Sequence, residues 1–477
     1  MISSNSAGRR KQMSIKSVAV IGAGPCGAGL TRALVGEGAF SNITVFERRH
    51  KFGGLWNYTG AKSLVPATTP VPSVNPRRKI TKIEAEGESF YESPVYKYLD
   101  ANVPKDLMAY KDFPFPDDVP LFPLQSQILS YIENYSKSVQ DYVRFNTEVV
   151  SVTWVNDKKQ WEVVSRSLET DDSVSNGTTE YYDAVAVAVG SYDQPFIPDV
   201  PGIKQWGEDH RGSVIHAKSY DQPSQFKDSR NILVVGNSAS GADIAYQLAT
   251  MLDRKIYKSI RSENSLPSGK DDRIEDVADL DHFESSTKTV YFKDGSSITD
   301  VDSIIFCTGY LKSIPFMNTD PPLITDGQKV HNLYRHMVWY PNPSLAIVGL
   351  PRFVLPTRLS ETQGCWLARV WSGRLTLPST EEMKADAESA EGSERTHHDL
   401  MYPKDVEYKN MLYKESEAVE GDYGYNSVFW DKDQCRIRAN IKPLKEGYIK
   451  YKKDTGKLAS SIKELEDAGY FKWEVEV

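Results

Sequence analysis

Six consecutive residues, Gly22-Ala23-Gly24-Pro25-Cys26-Gly27, have the glycine spacing of a loop that holds a pyrophosphate. In such a loop the first glycine makes a tight turn and the second brings bare backbone up to the phosphates. The third lets the following helix pack close, with its positive N-terminus aimed at the ligand. Glu47 stands 20 residues after Gly27, where a carboxylate accepts hydrogen bonds from a ribose diol. Just past it, Gly53-Gly54 allows backbone close to a ligand, and Leu55 and Trp56 would bury apolar area beside it. The spacing returns in Gly236-Asn237-Ser238-Ala239-Ser240-Gly241, with serine in the middle, and Ala242 and Asp243 extend this second candidate site. Arg261 lies 20 residues past Gly241. A cation there would pair with a 2′-phosphate that an acid would repel. Lys258 would add to that charge and Glu263 would offset part of it. Two such loops in one chain imply two nucleotides and an internal redox couple; the alternative is a degenerate second loop that binds nothing.

The elements around these loops suit the reading. Ser17–Ile21 is a short apolar run ending at a glycine, which predicts a buried parallel strand. Residues 28–36 read as a helix and Ile43–Phe46 as the next strand. Residues 60–125 are rich in Pro, Tyr and charge and read as loops with short helices, followed by a helix over 125–136. Short β runs are expected at Tyr142–Phe145, Val149–Trp154 and Trp161–Val164, then a buried strand from Ala184 that stops at Gly190. A second unit follows: strand Asn231–Val235, helix 240–252 and strand Lys255–Ile260. Later strands are Ser303–Phe306 and 345–349, and beyond about 380 the chain reads as charged and helical.

At 477 residues the chain exceeds one ordinary domain. A hydrophobic content of 40% supports large cores, and a net charge of −8 offers nothing to nucleic acid. The four cysteines form no CxxC pair and no zinc-ligand spacing, and they suit a reducing compartment. His331, His336, His397 and His398 form no ligand set by spacing, so no metal is expected. No stretch reaches the ~20 apolar residues of a membrane span. Residues 1–13, with Arg9, Arg10 and Lys11, read as a flexible tail, a weak organellar presequence being the alternative.

Taken in order, the motifs resemble those of the flavin-containing monooxygenases of fungi and animals, over about Val18 to Leu377. The first loop with Glu47 and Gly53–Trp56 resembles that family's FAD site. Tyr98–Met108 resembles its segment ending N-x-P-K-x-x-M, and Phe113-Pro114-Phe115-Pro116 follows. Gly212, His216 and Tyr220 match the fingerprint F-x-G-x-x-x-H-x-x-x-[FY], and Phe306–Tyr310 resembles F-A-T-G-Y. His210 replaces the fingerprint's opening Phe, and Ala101 replaces a common Thr.

The resemblance implies an α/β fold of two Rossmann-like dinucleotide-binding domains, the NADPH domain inserted into the FAD domain. The expected boundaries are a tail over 1–14, FAD-binding parts over 15–210 and 331–477, and an NADPH part over 211–330. Ala101, Val149, Thr308 and Gly309 are implied as further cofactor contacts. His216 is expected to brace the linker rather than to catalyse. NADPH would reduce FAD, and the reduced flavin would trap O2 as a C4a-hydroperoxide that oxygenates a small soft nucleophile: a thiol, thioether or amine. Asn102 is the candidate catalytic residue, its neutral amide sparing that adduct the negative charge a carboxylate would bring. Baeyer–Villiger oxidation of ketones and a non-catalytic redox sensor are the alternatives. The expected location is cytoplasmic, with peripheral association with the endoplasmic reticulum and a homodimer left open.

Overall fold

The computed structural model describes residues 13–80, 82–85, 87–168, 177–262, 266–389, 393–421 and 424–476. Residues 1–12 of the expected tail, and Glu263, lie outside the described residues.

Strand Ser17–Ile21 is apolar at almost every position because both faces of its sheet are covered. It lies inside a seven-stranded sheet. Asn42–Phe46 and then Val143–Arg144 run parallel on one side, Ala184–Val187 and then Leu345–Ile347 on the other. The hairpin of Leu333–Tyr334 and Val338–Trp339 closes one edge antiparallel. A second sheet has five parallel strands in the order Val214–His216, Val301–Phe306, Asn231–Val235, Ile256–Ser259, Ile274–Val277. All five fall in the chain between Ala184–Val187 and Leu345–Ile347, which are themselves neighbours in the first sheet. The second unit is therefore inserted into the first, as the resemblance implied.

Several boundaries move. The first helix starts at Pro25, where proline suits the first helical position because its missing N–H is not needed. The second starts at Ala239, and the strand expected over Lys255–Ile260 is Ile256–Ser259. The strand expected at Tyr142–Phe145 shrinks to Val143–Arg144, because Lys137–Tyr142 winds into a 3₁₀ helix. Strand Thr178–Tyr182 completes an antiparallel meander with Thr147–Val155 and Gln160–Ser167. Its sequence Thr-Thr-Glu-Tyr-Tyr has no apolar alternation to announce it.

Helix Pro356–Ser372 packs on Pro25–Glu37 and is buried from Thr357 to Trp371, although much of it is polar. Its polar groups are satisfied inside the protein. Glu361 accepts from Tyr135 and from the Lys111 N–H, both at 2.9 Å. The Arg369 guanidinium donates to the carbonyls of Ser416, Cys365 and Tyr425. A one-sided apolar stripe is the usual sign of a helix; one buried all round and paired internally has none. Among the C-terminal helices, Ile441–Thr455 buries Leu444 and Tyr448 against Leu121 and Phe122, next to the segment that carries Asn102. No helix among the described residues is long and apolar enough to cross a membrane.

Candidate active site

The first loop leaves its strand through Gly22 at φ +103°, a left-handed value, with the Ala188 carbonyl oxygen 2.8 Å from where a Cβ would stand. Any side chain there is both strained and obstructed. At Gly27 a Cβ would fall 1.9 Å from the Gly22 carbonyl oxygen, so the helix packs on the turn only because Gly27 has none. Gly24 precedes the helix and lies against Gly54, which brings Gly53–Trp56 onto the loop. Leu55 and Trp56 are half-buried there. Glu47 is 4% exposed; its two oxygens accept from the Ala23 and Arg49 N–H groups, each at 2.8 Å. One bond per oxygen leaves lone pairs for a diol. The half-buried Cys26 thiol is directed at the Pro356 carbonyl at 3.8 Å, and desolvation pushes it up to about 12. The buried acid and the bare cradle fit an adenosine pyrophosphate.

The second loop repeats the construction. Gly236 has φ +116° with the Cys307 carbonyl oxygen 2.7 Å from a Cβ position, and Gly241 would place a Cβ 2.0 Å from the Gly236 oxygen. Ser238 takes the place of Gly24 before helix Ala239–Leu252 with an ordinary negative φ. The Asn237 amide nitrogen donates to the Ser262 carbonyl at 3.0 Å, while its oxygen is buried with no partner among the described residues. That orphaned acceptor, the free Ser238 hydroxyl and the helix N-terminus also suit a dinucleotide.

Four expected contacts are placed differently from the sequence reading. Val149 packs its side chain into the apolar core with Phe46 and Trp161, leaving only backbone for a cofactor. The Asp243 carboxylate accepts from the Tyr96 hydroxyl and from Gln247 at 2.9 Å, so it faces a protein network. Burial, and then Asp100, raise its pKa to about 6. Lys258 is paired with Asp276 at 3.1 Å on the next strand. Arg261 is exposed and lies two residues past the end of its strand. Register shows why counting misplaces it. Ile21 pairs with Phe46 as Val235 pairs with Ser259, so the counterpart of Glu47 is Ile260, and Arg261 corresponds to Arg48.

The fingerprint residues are hydrogen-bonded to distant segments of the chain. His216 accepts from the Lys218 N–H through Nδ1, which assigns its proton to Nε2, donating to the Gly309 carbonyl at 2.9 Å. Burial lowers its pKa to about 3, so it stays neutral. The Tyr220 hydroxyl donates to Gln247 at 3.1 Å, and His210 contacts the Ser285 carbonyl. Thr308 donates to the Phe196 carbonyl and accepts from Arg395, a residue whose role no sequence pattern announces. Gly309 turns at φ +79°.

Asn102 is half-buried, and its amide makes no hydrogen bond to protein among the described residues. The backbone beneath it is fixed. The Ala101 N–H donates to the Pro123 carbonyl at 2.8 Å, and buried Lys445 donates to the Ala101 carbonyl and the Asp100 carboxylate, both at 2.7 Å. Sequence reasoning misses Lys445 because 344 residues separate it from Ala101. The site thus presents a free neutral amide on a rigid segment.

The family model described as "Flavin-binding monooxygenase-like" matches residues 81–266 and 278–419. This chain belongs to that family. Its members are monooxygenases, and the chain is accordingly an oxidoreductase with FAD and NADPH as cofactors. It is 35% identical to "Flavin-containing monooxygenase FMO GS-OX3" of Arabidopsis thaliana, covering 86% of this chain and 87% of that one. Among solved structures it is similar to the S-allyl-L-cysteine S-oxygenase from Allium sativum: TM-score 0.73, 27% identity, 96% of this chain and 98% of that one covered. It also shares the fold of Tmm from Pelagibacter sp. strain HTCC7211, at 24% identity and TM-score 0.69, with 91% of each chain covered. Among its described residues, this flavin-binding monooxygenase also gathers His336, His397 and His398, whose ligand atoms all lie within 4.8 Å of one another. Sixty residues of chain between the first two hid that cluster from the sequence.

Proposed function

We propose that this flavin monooxygenase oxygenates small soft nucleophiles, with sulfur compounds first, and that Asn102 is the residue that keeps oxygenation coupled to NADPH oxidation. The observation that carries the proposal is the Asn102 amide, which is unused by the protein and seated on a backbone clamped by Lys445. The likeness to an S-oxygenase supports sulfur as the acceptor. When bound, FAD and NADPH supply hydride transfer and activation of O2. The loop Gly22–Gly27 with Glu47 holds FAD in this reading. The loop Gly236–Gly241 holds NADPH, and Arg261 meets the 2′-phosphate. Asn102 donates a hydrogen bond without adding charge, and its rigid support means that no reorganisation is needed when it acts. The chain need supply no general base, because a thioether sulfur already carries its lone pair.

The test has two arms. Cofactor released by heat is chromatographed, and FAD is expected; FMN, which has no adenosine ribose for Glu47, or no flavin, would overturn the first-loop assignment. A panel of thioethers, thiols, amines and ketones is then assayed for NADPH consumption and oxygenated product. Stimulation by the sulfur compounds is expected, and product from ketones alone would replace this reading with Baeyer–Villiger chemistry.

A further inference from the structure

The histidine cluster contains no residue of either glycine loop and joins two segments. His336 sits at the tip of the hairpin joining Leu333–Tyr334 to Val338–Trp339, and His397 and His398 follow the short 3₁₀ turn Glu394–Thr396. The hairpin turns through Arg335 and His336, both at left-handed φ (+51° and +55°) and neither of them glycine. Backbone of that kind is costly for such residues and persists where the surroundings demand it. Here it delivers the His336 ring to the other two.

The geometry is that of a ligand set. The Nδ1 atoms of His336 and His398 are 3.0 Å apart. The three ring centroids are separated by 4.7, 5.2 and 5.8 Å. Metal–nitrogen bonds of ~2.0–2.1 Å in a tetrahedral site put neighbouring ligand nitrogens ~3.3 Å apart and ring centroids ~5 Å apart. The centroid separations bracket ~5 Å, the one Nδ1 pair is slightly closer than ~3.3 Å, and all the ligand atoms lie within 4.8 Å of one another. With its Nδ1 at the centre, His398 has Nε2 3.2 Å from both the N–H and the carbonyl oxygen of Val330, and in the tautomer that leaves Nδ1 bare Nε2 donates to the carbonyl. An N–H donated there is the outer support that orients a metal-binding imidazole. The Nδ1 atoms of His336 and His398 share one hydrogen bond, which an ion would replace. Among the charged neighbours, the Glu394 carboxylate is paired with Lys329 at 2.8 Å.

We propose that His336, His397 and His398 form a binding site for one divalent transition-metal ion of the zinc class, with three neutral imidazoles as ligands and one position left open. Three nitrogen donors exclude calcium and magnesium, which take oxygen, and suit zinc most simply because it is redox-silent. The ion would tie the hairpin edge of the first sheet to the segment whose Arg395 reaches the Thr308 carbonyl. This proposal does not depend on the assignment of either nucleotide loop.

The experiment uses the full-length protein, stripped with chelator, dialysed and titrated with Zn²⁺ and separately with Co²⁺ as an optical probe. One equivalent should bind, with the intense visible bands of tetrahedral or five-coordinate Co²⁺ and a rise in melting temperature. His336→Ala and His398→Ala should each weaken binding by more than the ~10–100-fold that loss of an outer-shell partner costs. His282→Ala, on the exposed face of the second unit, should leave it unchanged. Circular dichroism and size-exclusion profiles identify variants that fail to fold, and for those the conservative His336→Gln or His398→Gln replaces the alanine. No stoichiometric binding by the wild type, or equal binding by wild type and folded cluster variants, overturns the site and leaves the three rings as a hydrogen-bonded group.

Discussion

The two β-α-β units share one backbone plan and differ in their charges. Gly22 and Gly236 turn at φ +103° and +116°, and their N–H groups donate to Phe46 and Ser259 at 2.8 and 3.0 Å. Strands Ala184–Val187 and Val301–Phe306 are each followed three residues on by a glycine, Gly190 or Gly309, at φ +74° and +79°. At the end of the second strand they part. The first unit has buried Glu47, followed by Arg48 paired with Asp193 at 2.6 Å. The second has apolar Ile260 in place of the acid, and Arg261 makes no hydrogen bond or ion pair among the described residues. A cradle of bare backbone accepts any pyrophosphate, so in the proposed reading selection between nucleotides falls to this one strand end. An acid there welcomes a free diol, and an unpaired cation welcomes a phosphate.

The sharpest way to break the comparison is to fill the two equivalent contacts. Gly27→Ala and Gly241→Ala each drive a Cβ to within 2.0 Å of a backbone carbonyl oxygen. We expect Gly27→Ala to purify without flavin. Gly241→Ala should keep flavin but lose NADPH-driven reduction, read by stopped-flow bleaching of the yellow protein. Loss of flavin from both would mean that the loops are not independent sites.

Next in size is Asn102→Ala, which removes a donor that belongs to neither loop. Product formation should fall ~10²–10³-fold while NADPH oxidation continues as peroxide release, the cost of one preorganised donor being ~2.7–4 kcal/mol. Normal product yield would reduce Asn102 to a loop residue.

Asp243, which joins the second unit to the Asn102 segment, gives a pH test. Its pKa in the folded protein, about 6, lies above the ordinary carboxyl value, so the folded state holds a proton that the unfolded state has lost. This contribution is full below about pH 4 and is lost as pH rises through about 6, up to ~3 kcal/mol. Asp243→Asn should flatten that part of the urea-stability profile, and an unchanged slope would show that Asp243 is ionised throughout.

The smallest expected effect is at Arg261, because it is exposed. Arg261→Ala should raise KM for NADPH about 10-fold, within the ~1–3 kcal/mol of a charge-assisted contact, with NADH little affected. Equal use of NADH and NADPH by the wild type would remove the electrostatic half of the comparison.

Most of the two-unit plan is legible in the chain because its signals are local. A buried strand, a glycine turn and a helix start occupy about 20 consecutive residues, and steric limits at Gly22, Gly27, Gly236 and Gly241 dictate the residue type. Counting from the glycines found Glu47 but overshot in the second unit, where Ile260 holds the register position; helix length and strand offset are settled by packing. The insertion of one unit into the other came from the family resemblance that the motifs carry.

Other features depend on contacts between distant parts of the chain, to which sequence periodicity is blind. Helix Pro356–Ser372 is polar yet buried because Tyr135, Tyr425 and Ser416 pair with its side chains, and none of these is local to it. Lys445 reaches Asp100 and Ala101 only once the C-terminal helix has docked on Leu121 and Phe122. His336 meets His397 and His398 only after the hairpin has joined the sheet edge. Glycine spacing acts on the backbone beside it and is legible at once, whereas a lysine clamp or a histidine cluster needs partners that the folded core alone brings within reach.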